Sequence, residues 1–466
     1  MSWRASAWFG VCAALVTGAL FALSLDVGPI GPLALVAPVP LLVYALCAPR
    51  AWVVAIAALV ARAIGMVGTV LVYDDLPILV LGMWIVVFAA LYALVILVTR
   101  WLARTAPGLP ATFAYPLVLV TAEWAFGRLA PNGSFGAMGY SLVDVLPLLQ
   151  AASVGGLAAL TFCVALVPMT IAMMLVRPAQ WRRVAMAGAL PLALIAGFGV
   201  ARLAQPYDAR VRVAMVGLDA QEARAYRGEP EALDVARQFA ALVSKVALEN
   251  PAYVVLPEKQ LGGGRASGAA TELLATANGS SATVIAGFDE ILPNGARVNS
   301  AQVLVPGKPV TRYLKRRFIP GLELGYTTGA GPFVSGTHGV AICKDMDFPD
   351  MVREYGRAGV DLMLVPAWDF VRDGRMHSRM ALVRGVENGF AIARAAAAGR
   401  LTASDRYGRV IAEAVTSRAG PVTVVADLGV RGGGTIYARL GDLFAWLCAA
   451  GVAALLGWRI VARYGR

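Results

Sequence analysis

Three residues in the second half of the chain carry side chains that together could move an acyl group. Glu258 ends the run "AYVVLPE", Lys315 lies in "TRYLKRRFIPGLE", and Cys343 ends "GVAIC". The chain has five cysteines, and Cys12, Cys47, Cys163 and Cys448 sit in long apolar runs, whereas Cys343 sits in a polar stretch. A thiol with a pKa of about 8.5 is mostly protonated at neutral pH. A neighbouring carboxylate can take its proton as the sulfur attacks a carbonyl. A fixed ammonium stabilises the oxyanion that forms, and the carboxylic acid then returns the proton to the leaving group. The reaction class is acyl transfer from an amide or ester through a thioester. His338, five residues before Cys343, offers a rival Cys–His pair, but in "SGTHG" it is expected in a turn that misses the thiol. Two histidines and no cysteine cluster leave no set of metal ligands, so no metal and no cofactor are expected. The glycines of "LGGGRASG" lack the lysine-and-hydroxyl ending of a phosphate loop.

These side chains need a rigid frame, and the segment from Val211 to Arg439 reads as one. "VRVAMVGL" is a buried strand, "EPEALDVARQFAALVSKVALEN" an amphipathic helix, and "AYVVLPE" a strand ending on an acid. "TELLATANGS" reads as a helix, and "ATVIAGF", "SAQVLV", "GVAIC" and "DLMLVPA" as further strands. "HSRMALVRGVENGF" is a helix with His377 at its start, and "FAIARAAAAG" holds another strand. This order predicts a layered α/β sandwich, with functional groups at strand ends. Around Lys315, the arginines Arg312, Arg316 and Arg317 are expected outward and the lysine inward.

The rest of the chain belongs to a membrane. Of the 466 residues, 58% are hydrophobic and 15% charged, with a mean hydropathy of +0.67. Soluble domains are about 25% charged. Apolar runs fall near 7–25, 33–48, 52–72, 76–99, 111–127, 151–176, 184–203 and 442–459, the second broken by Pro38 and Pro40. Arg62 lies within the third, where a charge must face the bundle or a wet cavity. Arg4, Arg50, Arg100, Arg104, Arg177, Arg182, Arg183, Arg459, Arg463 and Arg466 flank alternate connections. That alternation predicts a cytoplasmic N-terminus and an extracytoplasmic α/β segment. The net charge of +12 therefore reads as topology rather than as a nucleic-acid footprint. The expected organisation is a helix bundle at 1–207 with about seven spans, a catalytic domain at 208–436, and a final span with a cytoplasmic tail at 437–466.

With the order Glu258, Lys315, Cys343 the segment resembles the nitrilase superfamily, and the membrane context resembles the apolipoprotein N-acyltransferase family. "TAEWAFGRLAPNGSFGAMGYS" is similar to that family's loop after the fifth span, "HSRMALVRGVENGF" to its helix after the nucleophile, and "GGGTIYARLGDLFAWL" to its return to the membrane. The resemblance implies a polytopic α-helical membrane bundle plus an α/β nitrilase-like α-β-β-α sandwich. It implies Glu258 as general base, Lys315 as the oxyanion-stabilising cation and Cys343 as nucleophile. It further implies that Glu323 supports the lysine and that Asp345 stands at the acid two residues after the cysteine. The implied reaction takes an acyl chain from a phospholipid and passes it to the N-terminal amine of a bacterial lipoprotein. The implied location is the bacterial cytoplasmic (inner) membrane, and a monomer is expected.

The chain departs from that pattern in places. Lys344 stands where the family has an aromatic, Asp345 replaces a glutamate, and Lys315 and Cys343 are only 28 residues apart. In the family a longer link carries a hydrophobic lid, and Tyr226 is a loose match for an early aromatic of the domain. A membrane-tethered nitrilase-type amidase, or an acyltransferase with another acceptor, is therefore the alternative, and a non-enzymatic transporter is a third reading that the complete triad disfavours.

Overall fold

A computed structural model of the protein describes residues 3–74, 76–106, 108–218, 229–263, 268–416 and 420–464. Tyr226, Arg466 and residues 264–267 of "LGGGRASG" lie outside them. The chain divides into two compact units. One comprises Met1–Ala130, Ser134–Ala204 and Leu440–Arg466, and the other Pro131–Gly133 and Gln205–Arg439.

Among the described residues the first unit has seven helices long and apolar enough to cross a membrane. They are Ala7–Ser24, Ala51–Val72, Ile78–Thr105, Leu109–Leu129, Ala152–Val176, Pro178–Leu203 and Leu443–Val461. The apolar run expected at 33–48 differs: it forms a 3-10 turn at Gly31–Leu35 and a short helix at Val39–Cys47, with Pro38 at the helix start. Proline lacks the N–H that a continuous helix needs, so the run is broken there. Arg62 faces inward, as an intramembrane charge should, with Nη2 3.8 Å from Asp26 and its guanidinium over the Phe88 ring. Arginines also complete helix ends. Arg100 donates to the carbonyls of Ala45 and Pro49, Arg104 to that of Ala48, and Arg177 to those of Ala103 and Ala106. Each supplies a donor to carbonyls that a helix C-terminus leaves without intrahelical partners.

The second unit is built on thirteen described strands: β1 (Ala209–Gly217), β2 (Tyr253–Val255), β3 (Leu261–Gly263), β4 (Thr283–Ile291), β5 (Arg297–Leu304), β6 (Thr311–Leu314), β7 (Phe333–Ser335), β8 (His338–Val340), β9 (Leu362–Trp368), β10 (Ala391–Ala397), β11 (Arg400–Ser404), β12 (Val410–Val415) and β13 (Val422–Val430). They form two sheets, one in the order β13-β1-β2-β4-β5-β6 with β3 on β4, the other β12-β11-β10-β9-β8-β7. Each sheet has a parallel centre, β1-β2-β4 in one and β8-β9-β10 in the other. Parallel strands are covered on both faces, which explains why "VRVAMVGL" and "DLMLVPA" read as continuous apolar runs.

Side-chain alternation sorts these runs into layers. Val213, Met215, Val255, Ile285, Ala301 and Val303 of the first sheet pack with Val340, Leu364, Ala393 and Leu401 of the second in one core between the sheets. The opposite residues, Ala214, Val216, Val254 and Val284, pack under the helices Glu229–Ala247 and Gly268–Asn278. Met363, Val365 and Ile392 pack under Pro349–Arg357 and Gly374–Asn388. The result is the expected α-β-β-α sandwich. Phe239 is fully buried in the first helix-side core. Phe239→Ala should lower the free energy of opening of β1 amides by about 3–5 kcal/mol, read by native-state hydrogen exchange. A change below about 1 kcal/mol would contradict this packing.

Candidate active site

Both sheets end their central strands at one place. β2 ends at Val255, the Leu256 N–H still donates to the Ile285 carbonyl of β4 at 2.8 Å, and Pro257, with no N–H to contribute, takes the chain off the ladder just before Glu258. The Glu258 N–H donates to the Ala367 carbonyl of β9 at 3.1 Å, a backbone link from one sheet to the other. Gly287 makes this crossing possible. A Cβ there would come within 2.5 Å of the Glu258 Cα and collide with the Pro257 carbonyl. Lys315 is the first residue past β6, held by its N–H to the Asn299 carbonyl (2.8 Å) and by Gly329 N–H to its own carbonyl (3.0 Å). Cys343 lies past β8, at the start of the 3-10 turn Cys343–Asp347, with φ +42°. Such a left-handed conformation costs a non-glycine residue roughly 1 kcal/mol or more and needs outside support.

Asp345 gives that support. One carboxylate oxygen accepts from the Ile342 N–H (3.0 Å) and the Tyr313 hydroxyl (2.8 Å), the other from the N–H groups of Arg316 (3.1 Å) and Arg317 (2.8 Å). It ties the cysteine turn to the segment just after Lys315. Burial pushes this carboxyl up to about 6, against the pull of Lys315 and its hydrogen-bond donors.

The Lys315 ammonium is fully buried and lies between two carboxylates, 2.7 Å from Glu258 Oε1 and 2.8 Å from Glu323 Oε2. Asn299 Nδ2 bridges the same two carboxylates at 2.6 and 2.8 Å. Lys259 Nζ reaches Glu323 Oε1 at 3.0 Å, and the Ile319 N–H donates to Glu323 Oε2 at 2.9 Å. Burial works against the lysine's charge, but Glu258, Cys343 and Glu323 outweigh it, so its pKa is raised. Burial also opposes the Glu323 charge, but Lys315 and Lys259 hold that carboxyl down to about 2. The Cys343 thiol donates to the Trp368 carbonyl at 3.4 Å. Burial and the Glu258 charge push this thiol well above its ordinary value, while Lys315 and Arg394 pull it down. The resting sulfur is thus a thiol, and it could act as a nucleophile only with a base to take its proton.

The side chains of Glu258, Lys315 and Glu323 meet directly, and the charges of Glu258 and Lys315 act on Cys343. Asp345 touches the turn, not the lysine. The strands stop short of Glu258 and Cys343, so both sit on exit loops rather than on strand ends as expected. His338 lies in β8 rather than in a turn, with Nδ1 3.1 Å from the Tyr253 hydroxyl. His377 lies in the first turn of the helix Gly374–Asn388, as expected of a helix-start residue, with Nε2 3.2 Å from Asp373. Arg312 and Arg317 are exposed, and Arg316 pairs with Glu354 at 2.8 Å. Asn299 escaped the sequence reading. The signal was a polar residue two before Ala301 and four before Val303, which face the inter-sheet core.

A bundle of membrane-length helices joined to an α-β-β-α sandwich with a buried carboxylate–amine–thiol cluster defines the class. Within it, residues 17–170 match the family model described as the apolipoprotein N-acyltransferase N-terminal domain. The chain is 27% identical to an apolipoprotein N-acyltransferase of Geobacter metallireducens, over 95% of this chain and 94% of that one. The resemblance read from the motifs therefore extends along nearly the whole chain. Solved structures similar to it include a nitrilase-superfamily member of Saccharomyces cerevisiae (20% identity, 48% of this chain and 92% of that one, TM-score 0.42). Another is an amidase of Nesterenkonia (20% identity, 47% and 91%, TM-score 0.40).

Two outcomes follow from the geometry. Gly287→Ala should displace Glu258 and cost about 1–3 kcal/mol of stability by overpacking, with turnover falling in parallel; wild-type melting and turnover would contradict the close approach. Glu323 ionises more easily folded than unfolded, so its contribution is fully present above its ordinary 4.5 and is lost as pH falls toward about 2. The slope of stability against pH across that window should be shallower in Glu323→Gln, measured by thermal melting from pH 5 to 2.

Proposed function

We propose that this chain is an N-acyltransferase that moves a fatty acyl chain from a phospholipid, by way of a Cys343 thioester, to the N-terminal amine of a bacterial lipoprotein. The observation that carries the reading is the fully buried Lys315 ammonium, 2.7 Å from Glu258, with both charges acting on a protonated Cys343 thiol. In this reading Glu258 takes the thiol proton as the sulfur bonds to the acyl carbonyl carbon. Lys315 stabilises the resulting oxyanion. The tetrahedral intermediate collapses, the carbon–oxygen bond to the lysophospholipid breaks, and Glu258 protonates the departing alkoxide. The acceptor amine then attacks the thioester and gives a proton to Glu258. The second collapse forms the amide and expels sulfur, which regains the proton. Glu323 holds Lys315, and Asp345 holds the turn.

The similarity to apolipoprotein N-acyltransferase supports the lipid donor and lipoprotein acceptor, and the seven apolar helices support a multi-pass protein of the bacterial inner membrane. With the shorter apolar helix Gly31–Cys47 counted as a further crossing, seven crossings precede residue 208, and arginines on alternate connections then support an extracytoplasmic catalytic domain over residues 208–436, acting as a monomer. A second reading, a membrane-tethered amidase, is favoured by the short link between Lys315 and Cys343.

The test is intact mass after incubation with vesicles of phosphatidylethanolamine and phosphatidylglycerol. Wild type should gain a fatty acyl mass that hydroxylamine removes, and Cys343→Ala should not. Glu258→Gln and Lys315→Met should each slow acylation by roughly a hundredfold or more while still folding. No adduct on wild type, with ammonia released from small amides instead, would establish the amidase reading.

A further inference from the structure

Behind the cysteine lies a second buried ion pair that the mechanism above does not use. Arg394 grips Asp369 with two nitrogens, at 2.5 and 2.9 Å, and both residues are almost wholly buried. Along β10, Ala391, Ala393 and Ala395 face the core between the sheets, so Arg394 lies on the opposite, helix-facing side with Ile392. Asp369 directly follows Trp368, and its N–H donates to the Ala397 carbonyl of β10 at 2.9 Å. Gly399 leaves room for it, because a side chain there would collide with Asp369 Oδ2. The pair thus pins the exit of β9 to β10.

That exit has a special burden. Its Ala367 carbonyl receives the Glu258 N–H and its Trp368 carbonyl receives the Cys343 thiol. Two adjacent peptide carbonyls therefore set the base and the sulfur relative to one another. A buried ion pair is weak support for stability, since apolar residues of like volume often serve equally well. Its place at this exit gives it another purpose. We propose that Asp369 and Arg394 are positioning residues for the Cys343 nucleophile, fixing the strand exit that holds the thiol beside Glu258. The inference rests on the reading of Cys343 as nucleophile.

The charged groups acting on the thiol are Glu258, Lys315, Arg394 and Asp369, and those acting on Asp369 include Arg394, His377 and Asp373. Removing the guanidinium leaves the Asp369 charge without its bidentate partner, so the thiol ionises at higher pH. Arg394→Gln should shift the iodoacetamide alkylation profile of Cys343 to higher pH. It should also lower kcat about tenfold or more, with KM for phospholipid unchanged. Arg394→Lys should recover part of both losses. A wild-type alkylation profile in Arg394→Gln would overturn the proposal, and so would a wild-type kcat. So would a lysine variant that regains melting temperature but neither kcat nor the profile. Should Arg394→Gln fail to fold, Asp369→Asn/Arg394→Gln leaves no lone buried charge; it should melt as wild type yet lose kcat, and a wild-type kcat would overturn the proposal. Alkylation needs no acyl donor, so an unchanged profile sinks this inference alone, whereas a wild type that forms no thioester sinks the proposed function.

Discussion

The α/β unit depends on one constraint: a lysine ammonium with no exposure to water must be kept charged. An isolated ammonium in that position costs several kcal/mol or more, and it would neutralise rather than remain. Here Glu258 and Glu323 flank it at 2.7 and 2.8 Å. Asn299 bridges Oε1 of both acids, adding a donor to each without a further buried charge. Lys259 and Lys315 together balance the two carboxylates. Removing any one member leaves an uncompensated charge, so the cluster is held together by the cost of its alternatives.

That balance determines the state of the sulfur. A thiolate would add a negative charge to an already balanced cluster, and burial opposes it further, so the thiol keeps its proton. In the proposed reaction, proton removal is thereby tied to attack rather than completed beforehand. The two sheets make this coupling possible. Glu258 and Lys315 follow strands of one sheet and Cys343 follows a strand of the other. The packed core between the sheets sets how closely they approach, and β9 links them, its Ala367 carbonyl taking the Glu258 N–H from the other sheet and its Trp368 carbonyl the Cys343 thiol from its own.

Much of this was legible in the sequence, for identifiable reasons. Alternating apolar strands and amphipathic helices follow from short-range periodicity, which burial on both faces preserves as continuous runs. The two sheets were implied by the resemblance alone; which strands pair was not visible, because β1 pairs with β13 across about two hundred intervening residues and nothing local records it. Glu258, Lys315 and Cys343 stood out as polar groups at the ends of apolar runs. Asn299 did not, because a single amide inside "RVNSAQVL" carries no signal until the inward face is known. Arg394 was hidden similarly, one cation in the alanine-rich "AIARAAAAG". The end of β2 was misplaced because Pro257, inside a run with strand character, withdraws a ladder donor.

The same physics explains how the Cys343 turn tolerates an unusual neighbour. Lys344 occupies a position where the resembling family has an aromatic, and it is largely buried. Its ammonium is met by Asn132 Oδ1 at 2.9 Å and lies 3.5 Å from Asp347 Oδ2. The substitution therefore comes with polar partners instead of leaving a bare buried charge. The turn itself is held through backbone N–H groups of Ile342, Arg316 and Arg317 converging on Asp345, none of which involves the Lys344 side chain. The left-handed backbone of Cys343 is thus stabilised independently of the residue that follows it. A change at position 344 therefore alters the polar contacts beside the turn and leaves the backbone hydrogen bonds that hold Cys343 in place.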